Sequence, residues 1–504
     1  MSDVTNIIFD TTLTYHQQLL ALARLAESYD HTMALSDELI EAKSKGVICD
    51  LNEGNAPYRP RYIIPDYRIL MEKGSSFLEL APPQDVWEAC NNLLIMYRHV
   101  PSITSFPVYL GNFDELLEPF VQQVSEAEAK KCLKLFLLQI DRTLTDSFVH
   151  GNLGPKDTRT GRLILELTQE MQLAIPNITL KYDPELTSDE FAQLCAKCML
   201  NTAKPSFANH HMFVNEWGHD YAVASCYNGL KMAGGGFTLP RLRLYECACQ
   251  TKSIEDFLKN TLPYYVNLMA TMMDDRIRFI VEQSSFFKSN FLVTEGFVKL
   301  ENFTGMFGVV GLAECVNTLL HIQDSKQGYG NNAEADALAE RILQRLSELV
   351  DAHKAPYCDA FGHRYRLHAQ VGIDSDGRED SPGARIPVGS EPEMPMHIMH
   401  SAKFHHYFPT GIGDIFKFEE TWIKTPQAVT DIIKGALAGG MRYFSSYLEN
   451  NDVVRVTGYL VKKSELAKLD ANQQSLNNVS VFGKGARDTS AALDRRVETY
   501  EGNN

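Results

Sequence analysis

The chain has 504 residues, of which 44% are apolar and 22% charged, the composition of a globular protein able to bury a large core. Its formal net charge of -16 argues against a sequence-independent nucleic-acid binder, because phosphate contacts need clustered lysine and arginine. No apolar run approaches the roughly 20 residues that span a bilayer, and the start resembles no secretory signal. With ten dispersed cysteines, we expect a cytoplasmic protein with reduced thiols.

The N-terminal third is predicted to be largely helical. Leucines recur at helical spacing from His16 to Asp30, and apolar residues do so again from Glu126 to Leu144. The connection between them, Asn55 to Tyr67, is rich in proline and aromatic residues. Such a composition is typical of irregular chain that crosses a surface.

The middle of the chain alternates short apolar runs with helices, which indicates an α/β architecture. Ser253 and Asp256 are typical of a helix start. Asn332 to Val350 is the clearest amphipathic helix. The stretch Gly372 to Glu393 is rich in Gly, Pro, Asp and Ser, and it predicts a long exposed loop.

The last hundred residues begin with a helix. Thr425-Pro426 is predicted to open it and Gly439-Gly440 to end it. After an apolar segment and a turn, a β-rich run extends from Val453 to Val461 and is interrupted only by Gly458. A glycine in such a run commonly marks a bulge or tight bend where a side chain would collide.

The string Arg-Val-Thr-Gly-Tyr at residues 455–459 closely resembles the Arg-Val-x-Gly-Tyr signature of glycyl radical enzymes. In that family the glycine α-carbon loses a hydrogen atom. Glycine suits this role because it has no side chain to hinder planarity at the α-carbon. The resemblance implies that Gly458 is the residue modified to a radical, with Arg455 and Tyr459 in support.

Cys226 lies in the string ASCYNGLKMAGGGFTLPRLRL. A cysteine at the end of an apolar run is by default a small buried hydrophobe. Here the polar Asn228 and several glycines follow it, and the string resembles the cysteine-bearing fingertip loop of the same family. The resemblance implies that the radical glycine takes a hydrogen atom from the Cys226 thiol, whose thiyl radical then attacks the substrate.

Three further segments resemble the YjjI-type branch of the family, residues 148–163, 204–220 and 303–317. The resemblance implies an α/β barrel of two half-barrels with roughly ten strands, surrounded by helices, with a C-terminal glycyl loop inside it. We expect an N-terminal helical region over 1–145, a barrel core with the cysteine loop over 146–394, and a glycyl radical domain over 395–504.

The same resemblance implies the partners of the protein. A radical S-adenosylmethionine activase with an iron–sulfur cluster would install the radical under anaerobic conditions, and a small molecule would be the substrate. We expect no tightly bound cofactor, no metal, no nucleic acid and no membrane contact, and we keep a homodimer open.

The reaction itself is left open by the sequence. Pyruvate formate-lyases carry two adjacent cysteines, but this chain has Ser225 before Cys226. The dehydratase and lyase branches carry a glutamate where this chain has Asn228, so their base is absent from its usual place. The string ending in Glu314 resembles anaerobic ribonucleotide reductases, whose four-cysteine zinc module we do not find. Such a reductase is the alternative, and a non-catalytic barrel homologue is another.

Other candidate sites are weaker. Cys195 and Cys198 form a single Cys-x-x-Cys pair, for which we favour a structural role. The histidines of one segment could bind a metal, although we favour surface histidines; they are His397, His400, His405 and His406. Glu314 and His219 are candidate acid–base groups. Gly234 to Gly236 lack the context of a phosphate loop and are interpreted as backbone accommodation.

Overall fold

The computed structural model describes residues 3–29, 33–49, 53, 57–102, 106–146, 148–370, 380–479 and 484. Within them, the helices are α1 Asp3–Phe9, α2 Tyr15–Glu27, α3 Asp37–Ser44, α4 Arg68–Lys73, α5 Val86–Tyr97, α6 Phe113–Val121, α7 Glu126–Thr143, α8 Arg159–Met171, α9 Asp189–Thr202, α10 His210–Trp217, α11 Leu244–Ala248, α12 Ile254–Asp256, α13 Leu262–Arg278, α14 Phe286–Ser289, α15 Phe291–Thr294, α16 Leu312–Leu319, α17 Ala333–Ala352, α18 Met394–His405, α19 Pro426–Ala438 and α20 Lys463–Asp470.

The strands of the same residues are β1 Ile48–Cys49, β2 Tyr62–Ile64, β3 His150–Leu153, β4 Asn177–Tyr182, β5 Ser206–Asn209, β6 Tyr221–Ala224, β7 Asn228–Lys231, β8 Gly234–Gly236, β9 Arg241–Arg243, β10 Phe303–Thr304, β11 Met306–Val310, β12 Arg366–Ala369, β13 Asp414–Phe418, β14 Tyr443–Leu448, β15 Val453–Arg455 and β16 Leu460–Lys462.

Most strands belong to two mixed sheets. One has the order β13-β14-β5-β4-β3 and the other the order β1-β9-β11-β12. The β14–β5 and β1–β9 pairs are antiparallel and the other pairs parallel. Every residue of β4, β11 and β13 is buried, as expected for strands covered on both faces. The core therefore lies on both sides of each sheet.

Two antiparallel hairpins carry the residues of interest. The cysteine hairpin, residues 221–231, consists of β6 and β7, and the glycyl hairpin, residues 453–462, of β15 and β16. In the cysteine hairpin, the Val223 backbone exchanges hydrogen bonds of 2.7 and 2.9 Å with the Asn152 side chain of β3. At its tip, the Tyr227 hydroxyl donates to the Ala369 carbonyl of β12 at 2.8 Å. These bonds tie the cysteine hairpin to both sheets.

The periodic helices agree with their prediction. Helices α2, α7, α17 and α19 lie within one to three residues of the predicted bounds. Asn332 caps α17 by accepting from two backbone amides, whereas the Thr425 side chain makes no capping bond to α19. The Ser253 hydroxyl accepts from the Asp256 amide, and the chain then continues through a π-helical stretch into α13.

Two predicted surface segments are buried instead. The described part of the stretch before Tyr67, residues 57–67, contains the fully buried strand β2, which pairs with the glycine strand β8. Of the predicted loop 372–393, residues 372–379 lie outside the described residues. Half of residues 380–393 are buried and only Glu393 is exposed. Pro382 forms a bridge with Val310, and the Ser381 carbonyl accepts from the Gly311 amide. The expectation of an exposed loop is therefore wrong for 380–393.

Among the helices that the structure describes, none is long and apolar enough to span a bilayer.

Candidate active site

The β-rich run around Gly458 folds back on itself. Val453 pairs with Lys462 and Arg455 with Leu460, and the Val456 amide donates to the Tyr459 carbonyl across the turn. Gly458 therefore lies at a tight bend, one of the two outcomes that the glycine predicted. The turn is closed to solvent, because the residues on either side of Gly458 are buried.

Cys226 lies at the tip of the other hairpin. Ala224 pairs with Asn228, which leaves the three tip residues Ser225, Cys226 and Tyr227. Ser225 has φ of 58°, a left-handed conformation that is uncommon outside glycine. Its amide donates to the Val108 carbonyl at 3.0 Å, which anchors the turn. Cys226 is 5% exposed.

The two tips meet at Gly458 and Cys226. A β-carbon placed on Gly458 would overlap both the Cβ and the Sγ of Cys226, and would lie 3.2 Å from its Cα. Because a β-carbon lies about 1.5 Å from its α-carbon, the sulfur lies within about 4 Å of the Gly458 α-carbon. Gly458 does not have a positive φ. Space beside the thiol, and not backbone conformation, therefore requires glycine here.

Two side chains bind the carbonyl oxygen of Gly458. The Asn177 amide group and the Arg455 guanidinium each donate to it at 3.2 Å. Arg455 also donates to Asn177 Oδ1 at 3.2 Å and to the Ala203 carbonyl at 2.8 Å. Asn177, Arg455 and Ala203 are buried. We call Asn177 and Arg455 the carbonyl clamp, because together they fix the glycyl turn against β4.

His150 connects this region to the cysteine hairpin. Its Nδ1 lies 2.8 Å from the Ser225 carbonyl and its Nε2 lies 2.8 Å from the Thr179 hydroxyl. Burial lowers the pKa of His150 to about 3, so the ring is neutral. Since a carbonyl can only accept, the hydrogen is assigned to Nδ1, and Nε2 accepts from Thr179. The imidazole thus holds the tip of the cysteine loop without adding charge.

Burial raises the pKa of the Cys226 thiol to about 11, although positive charges on Arg455, Arg61 and Arg385 oppose this. The sulfur therefore carries its hydrogen at neutral pH. A nucleophilic cysteine needs the opposite shift, because the thiolate is the reactive form. The environment favours hydrogen-atom donation over nucleophilic attack.

Asn228 and Tyr459 flank the two tips. Asn228 is 2% exposed, and its side chain has no hydrogen-bond partner in the described part of the chain. Tyr459 is buried, with its ring edge-to-face against Phe148 at 6.3 Å. Asn228 pairs with Ala224 across the cysteine tip and Tyr459 directly follows Gly458, so both lie next to the two tips in the chain.

His219 and Glu314 do not lie beside Gly458 and Cys226. His219 is exposed at the base of the cysteine hairpin, six residues before its tip and thus roughly 20 Å away along an extended strand. Glu314 accepts from the Ser381 hydroxyl at 2.6 Å and from its amide at 3.2 Å. Burial raises the pKa of Glu314 to about 7. Neither residue has a described contact with Cys226 or Gly458.

The predicted surface histidines are mostly interior. His397 and His405 face Asp414, at 3.4 and 3.6 Å, and His400 lies 3.2 Å from Asp336. These three are buried and only His406 is exposed, so the surface interpretation is wrong for three of the four. The described residues contain no group of three or more His, Cys, Asp or Glu side chains arranged to hold a metal.

The remaining motifs have structural roles. Cys195 and Cys198 are buried in α9, and the Cys198 thiol donates to the Leu165 carbonyl. A β-carbon on Gly234 or Gly235 would overlap a backbone carbonyl oxygen of a neighbouring strand or turn. Backbone accommodation by these glycines is therefore confirmed.

Sequence reasoning missed Asn177 and His150. His150 lies inside the segment 148–163 that carries part of the resemblance, and that was its available signal. Asn177 gives no local signal, since it is a lone polar residue at the start of a buried strand.

Comparison with known proteins relates the whole chain to one family. The family "Glycyl radical enzyme YjjI-like" matches residues 13–498. An "Uncharacterized protein" of Haemophilus influenzae is 45% identical over 502 residues, covering 99% of this chain and 97% of the relative. "Uncharacterized protein YjjI" of Escherichia coli is 40% identical over 500 residues, covering 98% and 96%.

Solved structures are similar in fold. An anaerobic ribonucleotide reductase superposes with a TM-score of 0.71 at 14% identity, covering 99% of this chain and 90% of that one. A glycyl radical enzyme of Archaeoglobus fulgidus gives 0.63 at 13% identity, covering 82% and 68%. The glycerol dehydratase of Clostridium butyricum gives 0.62 at 12%, covering 83% and 68%. The expected glycyl radical enzyme barrel is thereby confirmed.

Proposed function

This chain belongs to the YjjI-like glycyl radical enzymes, and we propose that Gly458 stores its radical while Cys226 transfers the radical to a small-molecule substrate. The observation that carries the proposal is the contact of the two hairpin tips, with the sulfur within about 4 Å of the α-carbon. Two hairpins more than two hundred residues apart in sequence meet at these two residues. Packing alone gives no reason for a thiol to be one of the two.

The proposed transfer is balanced in atoms and electrons. The Gly458 α-carbon radical takes the hydrogen atom of the Cys226 S–H bond, which leaves a sulfur radical and an intact glycine. The sulfur radical then takes a hydrogen atom from a substrate C–H bond, and the steps reverse after the product radical forms. A thiol with a raised pKa suits both steps, because the hydrogen stays on sulfur between turnovers.

The carbonyl clamp supports storage at Gly458. A glycyl radical is delocalised onto the neighbouring carbonyl, and Arg455 and Asn177 both donate to that oxygen. Burial of the turn keeps oxygen and stray hydrogen donors from the α-carbon. The protein's contribution is therefore positioning and shielding.

Installation of the radical requires a partner in this proposal. A radical S-adenosylmethionine activase with an iron–sulfur cluster would remove the α-hydrogen of Gly458 in the anaerobic cytoplasm. Since Gly458 is enclosed by the cysteine hairpin and β4, residues 441–459 must open locally to admit it. No tightly bound cofactor is proposed, and the region boundaries 1–145, 146–394 and 395–504 remain part of the proposal.

The specific reaction stays open, and two alternatives to the proposed function remain. Asn228 cannot accept a proton as a carboxylate would, which disfavours base-assisted dehydration by this residue. Ribonucleotide reduction remains the alternative, and the likeness to such reductases at 14% identity concerns the fold alone. A barrel without turnover is the other alternative.

Gly458→Ala tests where the radical is stored. Wild-type protein incubated anaerobically with an activase, reductant and S-adenosylmethionine should give an organic radical whose electron paramagnetic resonance signal is a doublet from the remaining α-hydrogen. The Gly458→Ala variant should give none; because its β-carbon would overlap Cys226, circular dichroism must first show that the variant folds. A full-strength signal in this variant would remove Gly458 from the mechanism.

Cys226→Ser tests the relay separately from storage. The serine variant should still accept a radical on Gly458 but should show no turnover in an anaerobic metabolite screen, because its O–H bond is too strong for a glycyl radical to break. Cys247→Ser and Cys315→Ser, at other buried cysteines, are matched controls and should stay active. An active Cys226→Ser enzyme would contradict the relay.

A further inference from the structure

Arg385 is a buried arginine whose hydrogen-bond donors are mostly unused. It is 5% exposed, and its Nε lies 3.3 Å from Asp414 Oδ1. Its two terminal nitrogens have no hydrogen-bond partner among the residues that the structure describes. A guanidinium has five N–H donors, and those of the two terminal nitrogens are left for an acceptor from outside the chain. An occupant rich in acceptors would satisfy them.

The residues just before Arg385 pack near the tip of the cysteine hairpin. The Tyr227 hydroxyl donates to the Ala369 carbonyl at 2.8 Å. Ala369 in turn packs so closely on Gly383 that a β-carbon there would overlap it. Gly383 precedes Arg385 by two residues. Arg385 therefore lies near the residue that follows Cys226.

The carboxylate that holds Arg385 is fixed to the same tip. Asp414 follows Gly411 by three residues, and a β-carbon on Gly411 would overlap the Tyr227 carbonyl oxygen. The charge of Arg385 reaches the Cys226 sulfur, since it counts among the groups that lower the thiol pKa against the larger effect of burial. The chain segment before Arg385 and the Asp414 carboxylate are therefore both held close to the cysteine hairpin.

Asp414 contacts other groups besides Arg385. Its carboxylate also accepts from the Ser401 hydroxyl and lies 3.4 and 3.6 Å from His397 and His405. With its oxygens shared among these groups, Asp414 positions Arg385 through one nitrogen. The far edge of the guanidinium remains available to a second anion.

Two neutral polar groups lie beside the same tip. Asn228 is 2% exposed and its carboxamide has no described partner. His368 is 1% exposed, its Nδ1 has no hydrogen-bond partner, and its ring lies 5.8 Å from that of Tyr227. Burial lowers the pKa of His368 to about 3, so it is a neutral ring. One cation and two neutral polar groups fit a small anion that also carries a hydroxyl or carbonyl.

We propose that the substrate carries a carboxylate or phosphate group that Arg385 binds beside Cys226, while Asn228 hydrogen-bonds the part of the substrate nearer the thiol. The inference rests on the proposed function of Cys226 and names the substrate class of that site. A bidentate guanidinium–anion contact would place the substrate in one orientation relative to the sulfur.

Binding by the unactivated protein tests this proposal without any radical. The probes are two pairs of similar shape, lactate with lactamide and glycerol 3-phosphate with glycerol, at about 20 mM and constant ionic strength. The charged member of at least one pair should raise the melting temperature by about 2 °C or more, and its neutral partner should not. Which pair responds distinguishes a carboxylate from a phosphate.

Three variants test whether Arg385 causes the rise in melting temperature. Arg385→Gln should lose the rise, Arg385→Lys should keep part of it, and Arg345→Gln, at a partly exposed arginine of α17, should keep all of it. Each variant is compared with its own ligand-free melting temperature, and Arg385→Lys covers the case in which the glutamine variant does not fold. Equal effects of charged and neutral probes, or a rise that survives in Arg385→Gln, would overturn the proposal. If the protein forms no radical after activation, the proposed function of Gly458 is wrong, but the result of this binding experiment still holds.

Discussion

Replacing Asn177 by alanine tests whether the carbonyl clamp holds the glycyl hairpin closed. The change removes two hydrogen bonds that exist only in the closed form, one to the Gly458 carbonyl and one from Arg455, both 3.2 Å long. These distances are at the long end of the normal range. We therefore take the lower values for a neutral and a charged hydrogen bond, together about 2 kcal/mol.

A loss of about 2 kcal/mol confined to the closed hairpin raises the open population about thirty-fold, since about 1.4 kcal/mol corresponds to a factor of ten. If opening precedes activation, Asn177→Ala should form its radical faster by up to this factor. Electron paramagnetic resonance after addition of the activase measures the rate. Amide hydrogen exchange of residues 453–462 measures the opening independently.

Asn92→Ala is the matched control, because Asn92 is also a buried asparagine and donates to the Ala81 carbonyl at 2.9 Å, away from the glycyl hairpin. It should lose stability without changing either hairpin exchange or the activation rate. Unchanged exchange in Asn177→Ala, or activation slower than in the control, would refute the clamp.

Two further predictions follow from the same site. Air admitted to the activated protein should cut the backbone at Gly458, and mass spectrometry should find a piece beginning at or near residue 458; an intact chain despite a measured radical would contradict the placement. The raised pKa of Cys226 predicts a pH effect as well: the unfolded chain loses the thiol proton at the ordinary value of 9.0 and the folded chain only at about 11, so stability falls as pH rises between these values. Between pH 8 and pH 10 the wild type should lose about 1 kcal/mol more than Cys226→Ala, measured by urea unfolding.

Gly458 and Cys226, where the two hairpin tips meet, could be selected from the sequence as candidates because each lies in a string that resembles a motif of glycyl radical enzymes. Gly458 interrupts a β-rich run and Cys226 ends an apolar one. Asn177 could not be predicted, because it lies 281 residues before Gly458 and its role depends on the meeting of β4 with a distant turn. Contacts of this kind leave no periodic pattern in the sequence.

Parts of the fold could also be predicted from the sequence, and other parts could not. Helices α7 and α17 were predictable because their apolar residues repeat at helical spacing. The burial of residues 57–67 was not, because proline and aromatic residues occur both in surface loops and beside closely packed strands. Here strand β2 is buried because the glycines of β8 let the two backbones approach.

One residue of the carbonyl clamp belongs to the glycyl hairpin that opens, and the other belongs to the sheet that stays in place. Arg455 belongs to the same turn as Gly458, three residues before it, whereas Asn177 belongs to the sheet. A hairpin that swings out would leave Asn177 behind and carry Arg455 with it. The arginine could then keep its bond to the glycine carbonyl, so the turn would travel as a small preassembled unit. An activating enzyme would meet the same local shape of the glycine that the barrel encloses.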